Sequence, residues 1–420
     1  MQGPPGEGAP RSEALAGRPL RGWIGIVLLL AIVAALSITT FDSIVYHPES
    51  DEGVYRAYAA QVAEHGPSAL PSQFAAYCAD AKRWILPSPL RVGYVALLAA
   101  VGSVFGVTLK TMTGLALAAH LALVALTWWC VRRARGELFA LATAALVGCS
   151  ALHLGMSRSA LMDSVAALFQ AASCWCFLEL LARPERRLAR AAFVLVYAAT
   201  LLVKEPAVLY LVPFAALWLV ERRLRATELG AGTVAAHLVA PLLIAAGAWT
   251  LAAGGPAPLV ETVSVVRRSL AANTWAQDFL TGPWYRYVVD AVLLSPWVTL
   301  LGVAWIGVVL VRWRAGNGSA FDRRWCVLLV LALVAFSFVE KDIRYTMALH
   351  VPLAYCAWST IDEVLVRARG AAGRALAAVV LALVLGSEIA SFRYVFVERS
   401  TYDPITAVLV HVRGFLPRPR

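Results

Sequence analysis

The chain has 420 residues, of which 60% are hydrophobic and only 15% charged, with a formal net charge of +11 and a mean hydropathy of +0.69. Soluble globular chains sit nearer roughly 45–50% apolar and about 25% charged, so this composition excludes a soluble domain and requires a polytopic membrane protein. The excess positive charge does not point to nucleic acid, because the arginines cluster between apolar runs in the positive-inside pattern.

In chain order, residues 1–21 are rich in Pro, Gly and Arg and are expected to form a disordered cytoplasmic tail. The run from Gly22 to Thr40 is as long as a full span, so it reads as an uncleaved anchor rather than a signal sequence. A long segment, 41–110, follows. It opens with Ser50, Asp51 and Glu52 and continues with Tyr55, Tyr58, Ala59 and Val62, the apolar stripe of an interfacial helix. Within it "PSPLRVGYVALLAAVGSVFG" (Pro87–Gly106) resembles a span. If it crossed, the next helix would deliver Arg132, Arg133 and Arg135 to the outside, so 88–107 is assigned to an interfacial or re-entrant helix. The predicted spans then lie near 22–40, 111–131, 138–156, 164–182, 189–203, 206–220, 231–252, 288–311, 325–339, 346–364 and 374–391, about 11 in all. Every arginine cluster falls on the cytoplasmic side. The segments 41–110 and 253–287 and the tail 392–420 face outward. Six of the seven cysteines lie in apolar runs and only Cys78 in a long loop, so no loop disulfide is expected.

Lysine usage sharpens the topology. The chain has 33 arginines but four lysines, Lys82, Lys110, Lys204 and Lys341, and all four fall at the outer face. Lysine is a compact point charge suited to phosphate, so this face is a candidate site for an anionic head group. The same boundary collects Asp51, Glu52, Tyr55, Lys82, Arg83, Arg91, Lys110, His153, Arg158, Asp163, Lys204, Glu205, Glu340, Lys341, Asp342, Arg344, Tyr345 and His350. Ionisable groups near a membrane interior are costly and default to functional hypotheses. Each piece also has a plainer reading. Asp51 and Glu52 suit a helix start, Arg158 and Asp163 a loop ion pair, and Lys341, Arg344 and Tyr345 an interfacial anchor. His153 and His350 read as packed residues, since no His or Cys partner stands at metal spacing.

The order of these pieces resembles the GT-C superfamily of integral-membrane glycosyltransferases. The likeness is to the protein O-mannosyltransferases and lipid A aminoarabinose transferases, glycosyltransferase family 39 and its bacterial relatives. The matching parts are Asp51-Glu52-x-x-Tyr55 after span one, the Pro-rich lead into "PSPLRVGYVALLAAVGSVFG", "SRSALMDS" with Asp163, "LLVKEPAVLYLVPF" with Lys204, "GPWYRYVVDAVLLSPW", and "EKDIRYTMALHVPLA" with Lys341, Arg344 and Tyr345. The resemblance covers roughly residues 20–365. It departs from the family where a Lys-Pro-Pro is usual, leaving Lys82 or Arg83 to substitute, where an arginine usually precedes span two and Lys110 stands instead, and where Glu205 replaces a glycine after Lys204.

The resemblance implies an all-α GT-C fold, with 22–391 as one catalytic transmembrane unit and interfacial helices in the first loop. It implies transfer of a sugar from a polyprenyl-phosphate donor to an acceptor hydroxyl on a lipid, a glycan or a protein, at the outer face of a bacterial cytoplasmic membrane, with inversion in one displacement. Asp51 is the candidate base, with Glu52 second, and Asp163 orients the base, the sugar or a cation. Lys204, Lys341 and Arg344, joined by Lys82, Arg83 or Lys110, would stabilise the leaving phosphate, and Tyr55, Arg158 and Tyr345 complete the expected substrate-binding set. A single Asp163 in place of a D-x-D pair favours a metal-independent reaction without a cofactor, a divalent ion being the alternative. A transporter or lipid-linked sugar flippase is the rival reading. It predicts internal repeats and mid-membrane charges, of which the sequence shows no convincing example.

Overall fold

The computed structural model describes residues 19–44 and 50–400, and all regular structure among them is helical. In chain order the helices are α1 (Pro19–Ile38), α2 (Asp51–His65), α3 (Leu70–Ala79), α4 (Val92–Phe105), α5 (Leu109–Arg135), α6 (Glu137–Gly148), α7 (Ala151–Ser157), α8 (Asp163–Ala182), α9 (Arg187–Val203), α10 (Leu211–Arg223), α11 (Ala231–Ala253), α12 (Pro256–Ala272), α13 (Thr274–Phe279), α14 (Arg286–Leu294), α15 (Pro296–Arg314), α16 (Ala320–Phe336), α17 (His350–Ile361) and α18 (Ala368–Phe392). Tight 3₁₀ turns at Glu205–Tyr210 and Ile343–Leu349 join α9 to α10 and lead into α17. Most of the expected N-terminal tail and residues 401–420 of the C-terminal one lie outside the described residues.

The arginine clusters gather at one end of the bundle and are stitched together there. Arg135 at the end of α5 reaches Asp322 at 3.0 Å and Asp362 at 3.6 Å. Arg323 and Arg324 of α16 hold the buried Glu221 of α10 at 2.9 and 2.7 Å, and Arg312 reaches Glu363 at 2.5 Å. The main apolar core runs along the bundle from this end. A second core lies at the far end, where Tyr55, Ala59, Tyr94, Leu98, Met112, Leu161, Met162, Val165 and Val203 pack α2 and α4 against α5, α8 and the last residue of α9.

One close approach places α4. A Cβ on Gly93 would lie 2.9 Å from the backbone carbon of Leu202, so only glycine lets the start of α4 rest on the end of α9. That contact sets Arg91 beside Glu205.

The helices differ from the predicted spans where the backbone breaks. Among the described residues five are long and apolar enough to cross a membrane: α5, α8, α11, α15 and the stretch Arg369–Glu398. The expected span 138–156 is two pieces, α6 and α7, bent by 60°. The expected span 288–311 breaks at Ser295 (φ −136°, ψ 64°), because a residue preceding proline is pushed out of the helical region. The expected span 346–364 begins as a 3₁₀ turn and becomes α-helical only at His350. The segment assigned as interfacial or re-entrant is α4, a helix of 14 residues, about 21 Å long at 1.5 Å per residue and short of a full crossing.

Candidate active site

The innermost part of the site is a buried ion pair between Asp163, the first residue of α8, and Lys204, the residue that ends α9. Their oxygen and nitrogen are 2.6 Å apart and the side chains are 4% and 2% exposed. Both positions follow from local structure. An acid at a helix start meets the positive end of the helix dipole. Lys204 stands just past Val203, with extended backbone (φ −150°, ψ 103°) between the end of α9 and the 3₁₀ turn that starts at Glu205, and its side chain turns inward. Its ammonium lies 4.5 Å from the centre of the Tyr345 ring. Burial pulls the Lys204 pKa below the ordinary lysine value, and Asp163 only partly restores it.

The turn at Ile343–Leu349 brings the second cation. Asp342 caps it by accepting from the Arg344 amide at 3.0 Å, and the same carboxylate accepts from Arg344 Nε at 2.8 Å and from Nη2 at 2.5 Å. Arg344 Nη1 is 3.8 Å from Asp163 and is left largely uncommitted. Burial works against the charge on Arg344, and Asp342 with Asp163 more than offsets it, so the guanidinium stays ionised.

The third cation is Arg91, at the head of α4. Its Nε donates to Glu205 at 3.1 Å, and Ser88 Oγ donates to the other Glu205 oxygen at 3.3 Å. Arg91 also donates to the Tyr55 hydroxyl, which in turn donates to Met162 Sδ at 3.7 Å. Burial holds the Tyr55 phenol well above its ordinary range, so it remains neutral. Exposure grades outward from the buried pair, with Arg91 14%, Glu205 24% and Arg344 24% exposed.

Asp51 opens α2 and is half-buried. It lies close enough to bias the charge of Tyr55, Arg91 and Arg344. Among the described residues its carboxylate shows no hydrogen bond or ion pair. Glu52 points elsewhere, as a turn of about 100° per residue requires. It is 2% exposed and accepts from the Ala160 amide at 3.3 Å, bracing the loop that leads to Asp163. The adjacent acids therefore divide into one uncommitted carboxylate and one that holds backbone.

Five of the predicted site residues, Asp51, Tyr55, Asp163, Lys204 and Arg344, converge from separate stretches of the chain, and Tyr345 backs them. Others do not join them. Lys82 and Lys110 are exposed, and Arg83 is 46% exposed and pairs with Asp80 at 3.5 Å. Lys341 spends its ammonium on the carbonyls of Ser337 and Val339, both at 2.6 Å, capping the end of α16. Arg158 makes no loop pair with Asp163. It donates to the carbonyls of Thr40 and Phe396 and ties the loop to α1 and the C-terminal helix.

Of the basic residues near the Pro87-Ser88-Pro89 lead, Arg91, two residues after it, joins this cluster, and Lys82 and Arg83 do not. Glu205 is the partner of Arg91. Arg91 was recognisable as the only basic residue at the start of an apolar helix in the first loop; its pairing with Glu205, 114 positions away, carries no sequence signal. His120, His153 and His350 stack inside the bundle with ring centres 5.3 and 5.8 Å apart. His153 Nε2 contacts the Met347 carbonyl at 3.1 Å, under the turn that bears Arg344. Among the described residues no group of three His, Cys, Asp or Glu side chains is placed to hold a metal ion.

No protein-family model matches the chain, and no curated protein sequence matches it. Solved structures do. ArnT from Cupriavidus metallidurans bound to undecaprenyl phosphate superposes with a TM-score of 0.52 at 15% identity, over 87% of this chain and 64% of that one. The apo state of the same protein gives 0.51 at 15% identity, over 93% and 74%. The chain therefore shares the all-α fold of ArnT, and it spans less than two thirds, 64%, of the length of the lipid-bound ArnT chain.

Proposed function

We propose that the chain is an integral-membrane glycosyltransferase that moves a sugar from a polyprenyl-phosphate donor to an acceptor hydroxyl at the outer face of the membrane. The observation that carries this reading is one uncommitted carboxylate, Asp51, set near Arg91 and Arg344, with a third cation, Lys204, joined to Arg344 through Asp163. The shared fold supports it, since the ArnT neighbour was solved with undecaprenyl phosphate.

The acceptor O–H gives its proton to Asp51 as its oxygen attacks the anomeric carbon. The bond from that carbon to the phosphate oxygen breaks in the same displacement, with inversion, and the electron pair stays on the phosphate. A positioned carboxylate contributes about 10²–10⁴-fold to such a step. Charge growing on the leaving phosphate is met by fixed donors. Lys204 uses one of its three N–H groups on Asp163, and Arg344 keeps Nη1 free of a close partner. Asp163 and Asp342 hold these two cations in place before substrate arrives, so no reorganisation is needed at the moment of transfer. Asp163 is thus a positioning residue, and Glu205 plays that part for Arg91.

The flippase reading would require ionisable groups along a path through the bundle. The best candidate for one, Glu388, uses Oε2 to accept from the Ala151 amide at 3.0 Å and the Ser295 hydroxyl at 2.8 Å, which makes it a brace for the break between α6 and α7. Transfer is therefore favoured over transport.

The test supplies membranes containing the wild type or Asp51→Asn with a panel of radiolabelled polyprenyl-phosphate sugars. The wild type should consume one donor and pass the label to an acceptor fraction, and Asp51→Asn should slow this by about 10²–10⁴-fold. Equal consumption by both proteins would remove Asp51 from the chemistry. Loss of no donor in acceptor-rich native membranes would remove the transferase reading.

A further inference from the structure

At the arginine end of the bundle, far from the site above, a groove of about 390 Å³ lies between α9 and α11, lined by Arg187, Arg190, Ala191, Val194, Leu195 and His237. Its depth follows from helix geometry. α9 runs from Arg187 to Val203 over 17 residues, so Arg187 sits about 24 Å from the Lys204 end. His237 is the seventh residue of α11, about 9 Å in from its start. The groove therefore begins at head-group level and descends into the apolar layer.

The charges around it are not balanced as their neighbours are. Arg183 and Arg186 both pair with Glu179, at 2.6 and 3.5 Å. Arg187 and Arg190 pair with no carboxylate among the described residues, and Arg190 commits only Nε, to the Pro184 carbonyl at 2.6 Å. His237 uses Nδ1 on the Thr233 carbonyl at 2.6 Å, which leaves Nε2 for another partner. Beyond the arginines the lining turns apolar through Ala191, Val194 and Leu195, and Leu195 is 63% exposed.

We propose that this groove binds an anionic glycerophospholipid of the leaflet opposite the active site. Its phosphate lies on Arg187 and Arg190, and an acyl chain runs along Ala191, Val194 and Leu195. Two unpaired guanidinium groups above an apolar floor match that molecule at both ends, whereas a free phosphate would leave the floor wet and a zwitterionic lipid would set its own cation against the arginines. Basic pockets between membrane helices select anionic head groups on this principle. The proposal is independent of the transferase reading, because the groove touches none of the residues that reading uses.

The test counts lipids retained by the full-length purified protein in native mass spectrometry. Phosphatidylglycerol is titrated against phosphatidylcholine of the same acyl chains, with inorganic phosphate as a third arm. The wild type should hold one phosphatidylglycerol about thirtyfold more tightly than phosphatidylcholine, the ratio for two basic residues at about 1 kcal/mol each at a charged lipid surface. Arg187→Gln/Arg190→Gln should lose that preference and Arg183→Gln/Arg186→Gln should keep it. Ala191→Trp, which fills the groove and leaves both arginines in place, should also lose the bound lipid, so the result does not hang on one variant folding. Equal retention of the two lipids, or retention unchanged in both groove variants, would overturn the proposal. Protection against thermal unfolding by inorganic phosphate alone, equal to that by phosphatidylglycerol, would replace the lipid with a free anion.

Discussion

Lys204 carries its charge where a lysine is least comfortable, 2% exposed and held by one carboxylate. Burial outweighs the attraction of Asp163, so its pKa lies below the ordinary 10.5. The sign of the consequence differs for stability and for activity. A depressed lysine pKa means that the folded protein binds fewer protons than the unfolded chain between the folded value and 10.5, so in that window this residue makes stability rise with pH. In the proposed transfer, phosphate stabilisation by the ammonium would be lost across the same window. Donor turnover should therefore fall on the alkaline side, at a pH below that of a free lysine, while the fold persists. Lys204→Arg keeps its charge throughout and should show reduced turnover without that alkaline limb. Rate against pH for the two proteins, with a thermal unfolding curve at each pH, checks this; the same limb in both would assign the titration to another group. Lys204→Met should cost far more than Lys341→Met, because Lys341 serves only carbonyls at the end of α16. Sequence placed both lysines at one face but offered no means of ranking them. The ranking comes from the break between α9 and the 3₁₀ turn, where Lys204 is extended and buried against Asp163, and from the end of α16, which takes Lys341.

Helix contacts carry the site. Gly93 meets the backbone of Leu202, so Gly93→Ala must push α4 away from α9 and stretch the Arg91–Glu205 pair. Overpacking of this kind costs about 1–3 kcal/mol, to be read as a lowered unfolding temperature in detergent. Gly114, inside α5, has open space where a Cβ would go, and Gly114→Ala should be neutral or stabilising. Equal effects from the two would remove the close approach as the cause. A second contact repairs a broken element. Where α6 gives way to α7 the Ala151 amide leaves the helical ladder, and Glu388 accepts from it and from Ser295. Glu388→Leu strands both donors and should cost about 1–3 kcal/mol for each, whereas Glu388→Gln keeps an acceptor and most of the stability. Apolar periodicity predicts the helices well enough that most begin or end within a few residues of their expected bounds. It misses the 60° bend between α6 and α7, because the group that makes the bend tolerable lies more than two hundred positions away and leaves no local mark.

At the scale of the whole molecule the informative pattern is the division of cations. Helix directions put the arginine runs after α5, α8 and α10, those at the start of α9 and at the end of α15, and those at the start of α16 at one end, where Asp322, Glu221, Glu363 and Asp362 bind several of them. Lys82, Lys110, Lys204 and Lys341 all stand at the other end, with Asp51 and Arg91. This separation was legible in the sequence because charge placement needs only the positions of the spans, while the inner geometry of the site needs pairings across the whole chain. The proposed reading takes the arginine end as cytoplasmic, by positive-inside bias, and the Asp51 cluster as outside, where a polyprenyl-phosphate sugar would be presented. Single cysteines test the assignment. In a Cys78→Ser background, Lys82→Cys and Lys110→Cys, both at exposed positions, should react with a membrane-impermeant maleimide on intact cells. Arg223→Cys and Arg314→Cys, also exposed, should react only after permeabilisation. The opposite pattern would place the cluster inside, where the proposed donor would have to be met before it crosses the membrane, and the transfer would then be a cytoplasmic reaction.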